Sequence, residues 1–276
     1  MNLVAQGPAM TEADATTLAS FLKKKDCKNA GEHAFRFANV ERTAGIAEWC
    51  EQRRIDHAWI AEGRRFADLE LLAIDMDSTL ITMETIDELG DCVGRKPEIA
   101  AITAQAMRGE IDYPESLRRR VALLEGLEAS ALQRVYDERL GLTAGAEALI
   151  AACKRHGVKL LLVSGGFSFF TDRLKTRLGL DYTISNTLEV ANGRLTGGLI
   201  GPIVDAEAKA RKFLEVLTVL KIEKNRSIAI GDGANDLKMM ALAGLSVAFH
   251  AKPVVRAQAS CALSFSGLDG VVNLLE

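Results

Sequence analysis

Three places in the 276-residue chain set acidic or hydroxyl side chains directly after a short apolar run. Asp75-Met76-Asp77-Ser78-Thr79 follows Leu71-Leu72-Ala73-Ile74, Ser164-Gly165-Gly166 follows the run 158–163, and Gly231-Asp232-Gly233-Ala234-Asn235-Asp236 follows Ser227-Ile228-Ala229-Ile230. Carboxylates at i and i+2 of an extended chain project to the same side. One can attack an electrophile while the other handles a proton, or both can hold a hard divalent cation through oxygen. A DxD is also found in ordinary aspartate turns, and the GDGAND stretch can equally supply a helix cap. Two acidic groups arriving independently at strand ends favour a shared cation site over two unrelated turns. Ser164 and the glycine N–H groups, read as the N-terminus of a helix, suit an anion such as phosphate, although Ser-Gly-Gly also serves as a plain strand-to-helix turn. Lys209, beside Arg211 and Lys212 near the start of the helical stretch 207–220, is either part of a solvated basic face or the fixed cation that phosphoryl chemistry needs.

Such residues meet only if the elements carrying them run in parallel. Runs apolar on both alternating faces belong to strands buried on both sides. The runs 71–74, 158–163, 227–230 and 245–249, the first three each followed by a helical pattern, imply an α/β fold with a doubly wound parallel sheet. In such sheets ligands bind beyond the carboxyl ends of the strands, where all three polar clusters lie. Residues from about 84 to 145 carry only helical patterns (84–93, 97–107, 115–124 and 129–138) and read as a small helical cap over that end. Residues 188–198 read as a hairpin with Asn192-Gly193 at a type I′ turn. Residues 1–69 form a separate small α/β domain in this reading: a helix capped by Thr11 and reaching Leu22, a strand over 34–40, a helix over 41–52 and a strand over 55–60, with three strands at most. Residues 70–276 form the second domain. Arg64-Arg65 reads as solvated linker charge.

Composition narrows the function classes. With 34 basic against 37 acidic residues the formal net charge is -3, which argues against a nucleic-acid partner. No apolar run approaches the roughly 20 residues that span a bilayer, so a membrane pump is not expected. No basic start with a long apolar core marks a secretory leader. The five scattered cysteines read as reduced thiols of a cytoplasmic protein, and the four histidines have no metal-ligand spacing.

Taken together, DMDST, VSGG, Lys209 and GDGAND resemble the four motifs of the haloacid dehalogenase superfamily of phosphohydrolases. The resemblance implies a Rossmann-like core, Asp75 as nucleophile forming an aspartyl-phosphate, and Asp77 as general acid and then base. It further implies Mg2+ held by Asp75, the Asp77 carbonyl and Asp232, with Asp236 supporting them. Ser164, Gly165, Lys209 and Asn235 would meet the phosphate. A carboxylate is an accepted nucleophile for phosphoryl groups once a cation offsets the repulsion.

A finer resemblance, over about 70–276, is to the phosphoserine phosphatase family, carried by DMDSTLITMETIDELG, YPESLRRRVALLEGL and VSGGF. It implies that Glu84 faces the substrate ammonium and that Arg120 meets its carboxylate, in a small-molecule substrate. Successive helical residues turn about 100°, so Arg118, Arg119 and Arg120 cannot all face one pocket. Glu84 alone would read as an acid favouring a helix N-terminus. Residues 1–69 resemble the truncated ACT-like domains found ahead of some members, which implies amino-acid binding or homodimerisation. Two other readings stand beside this one. One is a phosphatase or phosphotransferase for another small phosphorylated alcohol, such as phosphohomoserine. The other is a non-catalytic amino-acid sensor, which would normally have lost a nucleophile or metal ligand that this chain retains.

Overall fold

A computed structural model of the chain describes residues 1–275. The four apolar runs that end abruptly are strands of one sheet. Along the chain, β1 (Asn2–Gln6), α1 (Glu12–Phe21), β2 (Lys28–Gly31), β3 (Ala34–Phe37), α2 (Ile46–Gln52) and β4 (Asp56–Ile60) come first. Then follow β5 (Leu71–Asp75), the helices α3 (Thr85–Cys92), α4 (Lys96–Met107), α5 (Tyr113–Ala122) and α6 (Ser130–Glu138), and α7 (Ala146–Arg155). The remainder is β6 (Lys159–Phe167), α8 (Ser168–Leu178), β7 (Tyr182–Ala191), β8 (Arg194–Ile200), α9 (Ala206–Leu220), β9 (Ser227–Gly231), α10 (Leu237–Met240), β10 (Leu245–Phe249), α11 (Pro253–Arg256), β11 (Cys261–Leu263) and α12 (Gly270–Asn273).

Among the described residues the strands from β5 onward form a sheet in the order β11-β10-β9-β5-β6-β7-β8. It is parallel except for the β7–β8 hairpin. β5 and β9 are buried along their whole length, as their uninterrupted apolar runs require. Leu72 and Ile74 join a core that includes Leu149 and Ile150 of α7, while Leu71 and Ala73 join one that includes Phe213, Val216 and Leu217 of α9. The hairpin is longer than its sequence pattern suggests, and Asn192 and Gly193 both take positive φ, 49° and 74°, as a type I′ turn demands. β11, three residues long, escapes a reading based on periodicity.

The N-terminal unit corrects two expectations. It has four antiparallel strands in the order β2-β3-β1-β4, where at most three were expected. The β-α-β-β-α-β succession is that of a ferredoxin-like sandwich. The helix α1 begins as its sequence indicates, with Thr11 and Asp14 in a reciprocal cap. Arg64, expected to be solvated, instead donates to the carbonyls of Gly244 (2.8 Å) and Asn225 (3.1 Å) in loops of the larger sheet, whereas Arg65 pairs with Asp68. The unit also docks through Asp56, whose buried carboxylate accepts from the backbone N–H groups of Ser264, Phe265 and Ser266 at 2.6, 3.1 and 2.8 Å. Gln6 adds a bond to the carbonyl of Gly270. No helix among the described residues is long and apolar enough to cross a membrane.

Candidate active site

Two periodicities bring the first pair of groups together. On β5 the odd residues Leu71, Ala73 and Asp75 share a face, the one covered by α9. On α9, Lys209, Phe213, Val216 and Leu217 form one stripe at helical spacing, with Asp205 capping the helix by accepting from Ala208 N–H. The apolar members of the two stripes pack, and their polar ends, Asp75 and Lys209, meet at the carboxyl edge of the sheet. Lys209 is 0% exposed. Its ammonium donates to Asp75 Oδ1 at 2.6 Å and to Asp236 Oδ1 at 2.7 Å. Of the two sequence readings for Lys209, the solvated face is therefore the one the structure rejects; Arg211 is exposed and Lys212 pairs with Glu215.

β9 runs beside β5, so Asp232 emerges next to Asp75. Asp75, Asp232 and Asp236 each offer a carboxylate oxygen, all within 4.8 Å of one another. The turn between them is tight. A Cβ on Gly231 would lie 2.5 Å from the Asp236 carboxylate, so glycine is required there by close approach. Asp236 has both oxygens engaged, Oδ1 by Lys209 and Oδ2 by Gly233 N–H (3.1 Å). Asp232 Oδ1 accepts weakly from Thr79 Oγ1 (3.3 Å). Asn235 lies half-buried in the same turn. Three hard oxygen donors of one charge sign suit a divalent cation such as Mg2+.

Asp75 and Asp77 do not share an extended segment. The chain turns at once after Asp75, with Asp77 at φ -66°, ψ 133° and Ser78 left-handed at φ 57°. The turn closes through Ile81 N–H donating to the Met76 carbonyl at 3.0 Å. Asp77 Oδ1 accepts from Thr85 N–H at the start of α3 (2.9 Å). Glu84, one residue earlier, makes no capping bond; its Oε1 accepts from Ser78 Oγ at 2.7 Å. The carboxylates perturb one another. Burial, then Asp236, lifts the Asp75 carboxyl well above the ordinary range against the pull of Lys209. Burial and Glu84 push Asp77 up to about 7, and burial with Asp236 and Glu84 pushes Asp232 up to about 6. Burial opposes the charge on Lys209, yet Asp236 and Asp75 together outweigh it and raise its pKa.

The Ser164-Gly165-Gly166 segment differs from its expected setting. β6 continues through Phe167 and α8 begins at Ser168, so the three residues extend a strand rather than open a helix. Gly166 N–H donates to Ser164 Oγ at 2.8 Å. On α5, Arg118 and Arg119 are exposed, Arg119 pairing with Glu115, while Arg120 is half-buried and its Nε donates to the Ser116 carbonyl. Two further groups join the site that sequence reasoning missed. Tyr113 of α5 donates to the Gly165 carbonyl at 3.1 Å, and Asn186 of β7 donates to the same oxygen at 2.8 Å. Burial raises the Tyr113 phenol to about 12, against the influence of Lys209 and Arg120, and Asp75 and Asp77 act on it too. The spacing of Tyr113 and Arg120, two turns apart on one helical face, was the available signal.

The haloacid dehalogenase-like hydrolase family matches residues 72–241. A phosphoserine phosphatase of Polaromonas sp. is 54% identical over 217 residues, 77% of this chain and 92% of that protein. An unliganded crystal structure from Vibrio cholerae, named a probable phosphoserine phosphatase, superposes with a TM-score of 0.86 at 37% identity, over 99% of this chain and 86% of the other. A substrate-bound phosphoserine phosphatase structure aligns with a TM-score of 0.71 at 35% identity, covering 75% of this chain and 99% of that one.

Proposed function

Since the chain belongs to the haloacid dehalogenase-like hydrolase family, we propose that it hydrolyses O-phospho-L-serine to L-serine and phosphate with Mg2+, through a phosphoenzyme formed on Asp75, as the last step of serine synthesis in the cytoplasm. The observation that carries the reading is the buried cluster of Lys209 with Asp75 and Asp236, beside which Glu84 acts on the carboxyls of Asp77 and Asp232; Arg120, half-buried on α5, is assigned to the cap side of the same site. Similarity to phosphoserine phosphatases over three quarters of the chain supports it. Three charged handles of the substrate meet three complements: Lys209 and Ser164 for phosphate, Glu84 for ammonium, Arg120 for carboxylate. Arg can grip a carboxylate with two parallel bonds, fixing orientation as well as charge.

Asp75, the Asp77 carbonyl and Asp232 are the groups that would hold Mg2+, with Asp236 fixed behind them by Lys209. Bound there, the ion would neutralise charge on the phosphate and polarise it. An Asp75 oxygen attacks phosphorus as the bond from phosphorus to the serine oxygen breaks. Lys209 spends two N–H groups on Asp75 and Asp236, and its third remains for a phosphate oxygen. Asp77 has one oxygen anchored by Thr85 N–H; its other oxygen, Oδ2, which accepts no hydrogen bond among the described residues, gives a proton to the leaving serine oxygen. A carboxyl raised to about 7 can be protonated for that step and ionised for the next. In the second step it takes a proton from the water that attacks the phosphoenzyme and releases inorganic phosphate. The cap excludes other water while the phosphoenzyme exists.

A phosphate-release screen over phosphoserine, phosphothreonine, phosphohomoserine, phosphoethanolamine and sugar phosphates, with Mg2+ and with chelator, tests the assignment. Phosphoserine should be preferred and chelator should stop release; a preference for phosphohomoserine or a sugar phosphate would overturn it. Arg120→Ala should lower kcat/KM for phosphoserine roughly ten- to a hundred-fold, the worth of a charged hydrogen bond. Phosphoethanolamine, which has no carboxylate, should be cleaved at nearly the wild-type rate. Arg118→Ala and Arg119→Ala should have little effect on either. Equal losses with both substrates would remove Arg120 from the carboxylate subsite.

The raised carboxyls also fix a dependence of stability on pH. Their folded pKa values exceed the unfolded ones, so the folded state binds more protons between about pH 4 and pH 7. Without metal, the contribution of these carboxyls to stability is therefore greatest at the acid end of that window and falls as pH rises through it. Saturating Mg2+ at 100 times its Kd is worth about 2.7 kcal/mol, or roughly 5–10 °C in melting temperature. That increment should appear at pH 8 and nearly vanish at pH 5. Scanning calorimetry with and without Mg2+ at both pH values checks it; an increment equal at both would contradict the carboxylate site.

A further inference from the structure

We propose that Tyr113 is a positioning residue of the phosphate subsite, through which the cap orients the hydroxyl of Ser164. The inference rests on the reading that Ser164 binds the phosphate.

The Gly165–Gly166 peptide is held at both ends. Its carbonyl oxygen accepts from Tyr113 Oη at 3.1 Å and from Asn186 Nδ2 at 2.8 Å. Its N–H, on the opposite edge of the same planar group, donates to Ser164 Oγ at 2.8 Å. Ser164 Oγ is thereby an acceptor toward Gly166, and its own O–H must point elsewhere. Among the described residues no acceptor takes that proton. The hydroxyl flanks the catalytic cleft: a Cβ on Gly166 would stand 3.0 Å from Ser164 Oγ and 2.5 Å from Asp77 Oδ2. A donor left free beside Asp77 is suited to a phosphate oxygen. Rotation of the Gly165–Gly166 plane would withdraw the N–H from Oγ and release the hydroxyl into other rotamers.

The two donors on the Gly165 carbonyl differ in origin. Asn186 belongs to the sheet; it is buried, and its Oδ1 accepts from Val204 N–H at 2.8 Å. Tyr113 belongs to the first turn of α5 in the cap. It approaches so closely that a Cβ on Gly165 would lie 2.3 Å from its oxygen. The sheet-borne bond persists wherever the cap stands, whereas the Tyr113 bond exists only with the cap in place. Docking of the cap therefore tightens the group that meets the phosphate, coupling enclosure of the substrate to alignment of the donor.

Tyr113→Phe keeps the ring over the cleft and removes only the hydroxyl. One neutral hydrogen bond is lost while Asn186 still holds the carbonyl, so the binding constant for inorganic phosphate on the Mg2+-loaded protein should weaken about three- to tenfold. The kcat/KM for p-nitrophenyl phosphate should fall by a similar factor. In a Ser164→Ala background the same substitution should change phosphate binding by less than about 1.5-fold, because residues acting as one unit are not additive. Calorimetric titration of the four proteins with phosphate reads this cycle, and melting temperatures check that each remains folded. Equal factors in the two backgrounds, or unchanged phosphate binding in Tyr113→Phe, would overturn the proposal. Wild-type protein that cleaves other phosphomonoesters but not phosphoserine would remove the substrate assignment alone, with the phosphate cycle still deciding the role of Tyr113.

Discussion

Asp75→Asn is expected to reduce phosphate release by about four orders of magnitude or more, the scale seen when a covalent nucleophile is removed. An amide of the same shape cannot attack phosphorus and cannot carry the phosphoryl group. The fold should not suffer. Burial and Asp236 already disfavour the ionised form of Asp75, so a neutral side chain relieves repulsion. In chelator at pH 8 the variant should melt at or above the wild-type temperature. It should also lose most of the stabilisation that Mg2+ gives, because one of the cation's carboxylates is gone. Rapid-quench trapping of acid-stable phosphoprotein together with calorimetry reads both effects. Turnover near the wild-type rate would sink the covalent route, and a large drop in melting temperature would contradict the electrostatic account of the cluster.

Lys209→Met separates stability from chemistry at the other end of the same ion triad. The lysine is buried between Asp75 and Asp236. Removing it leaves two buried carboxylates facing each other without a counter-charge, which typically costs about 3–5 kcal/mol, or roughly 10 °C of melting temperature in a chain of this size. The loss should be smaller at pH 5, where Asp75, its pKa lifted well above the ordinary range by burial, holds its proton more readily, and should grow as pH rises. Adding Asp236→Asn to Lys209→Met should recover much of the melting temperature, since one uncompensated charge is then removed. Activity should stay low in both, because the donor to the phosphate is absent. A Lys209→Met protein that melts like wild type at pH 8 would show that the triad carries no net charge coupling.

The core of this fold is readable along the chain because its strands are buried on both faces. LLAID, KLLLV and SIAIG stand out as apolar runs, and their polar ends mark the sheet edge where the site forms. The cap helices are readable for the opposite reason: α3, α5 and α6 each keep one apolar face. What escaped was structure set by distant partners. KNAG of β2 is too short and too polar to betray itself, CAL of β11 is apolar but only three residues long, and β7 mixes exposures because its last three residues run out into the hairpin. Lys209 taken alone reads as surface charge, as lysine usually is; the motif resemblance set it at the phosphate, and its place in the stripe with Phe213, Val216 and Leu217 accounts for its burial. Tyr113 preceded a proline at a helix start and could pass for a capping position, since its partner, the Gly165 carbonyl, lies 52 residues away. The turn at Ser78, left-handed in a non-glycine residue, likewise depends on the cleft built around it.

The carboxylate of Asp56 acts as a joint between the two sheets. It fills a cradle of three successive amide groups at Ser264, Phe265 and Ser266, the kind of concavity that elsewhere holds a free anion. Here the chain supplies its own occupant from the opposite end of the sequence. The adjoining segment continues to Leu268, whose N–H donates to the carbonyl of Ala144 at 2.8 Å, at the point where the cap returns to the sheet. The small sandwich is thus bolted to the same strip of backbone that buttresses the cap's return. Loosening the bolt would leave buried amides unanswered on one side and a bare carboxylate on the other, so the two sheets are bound to melt as a single cooperative unit.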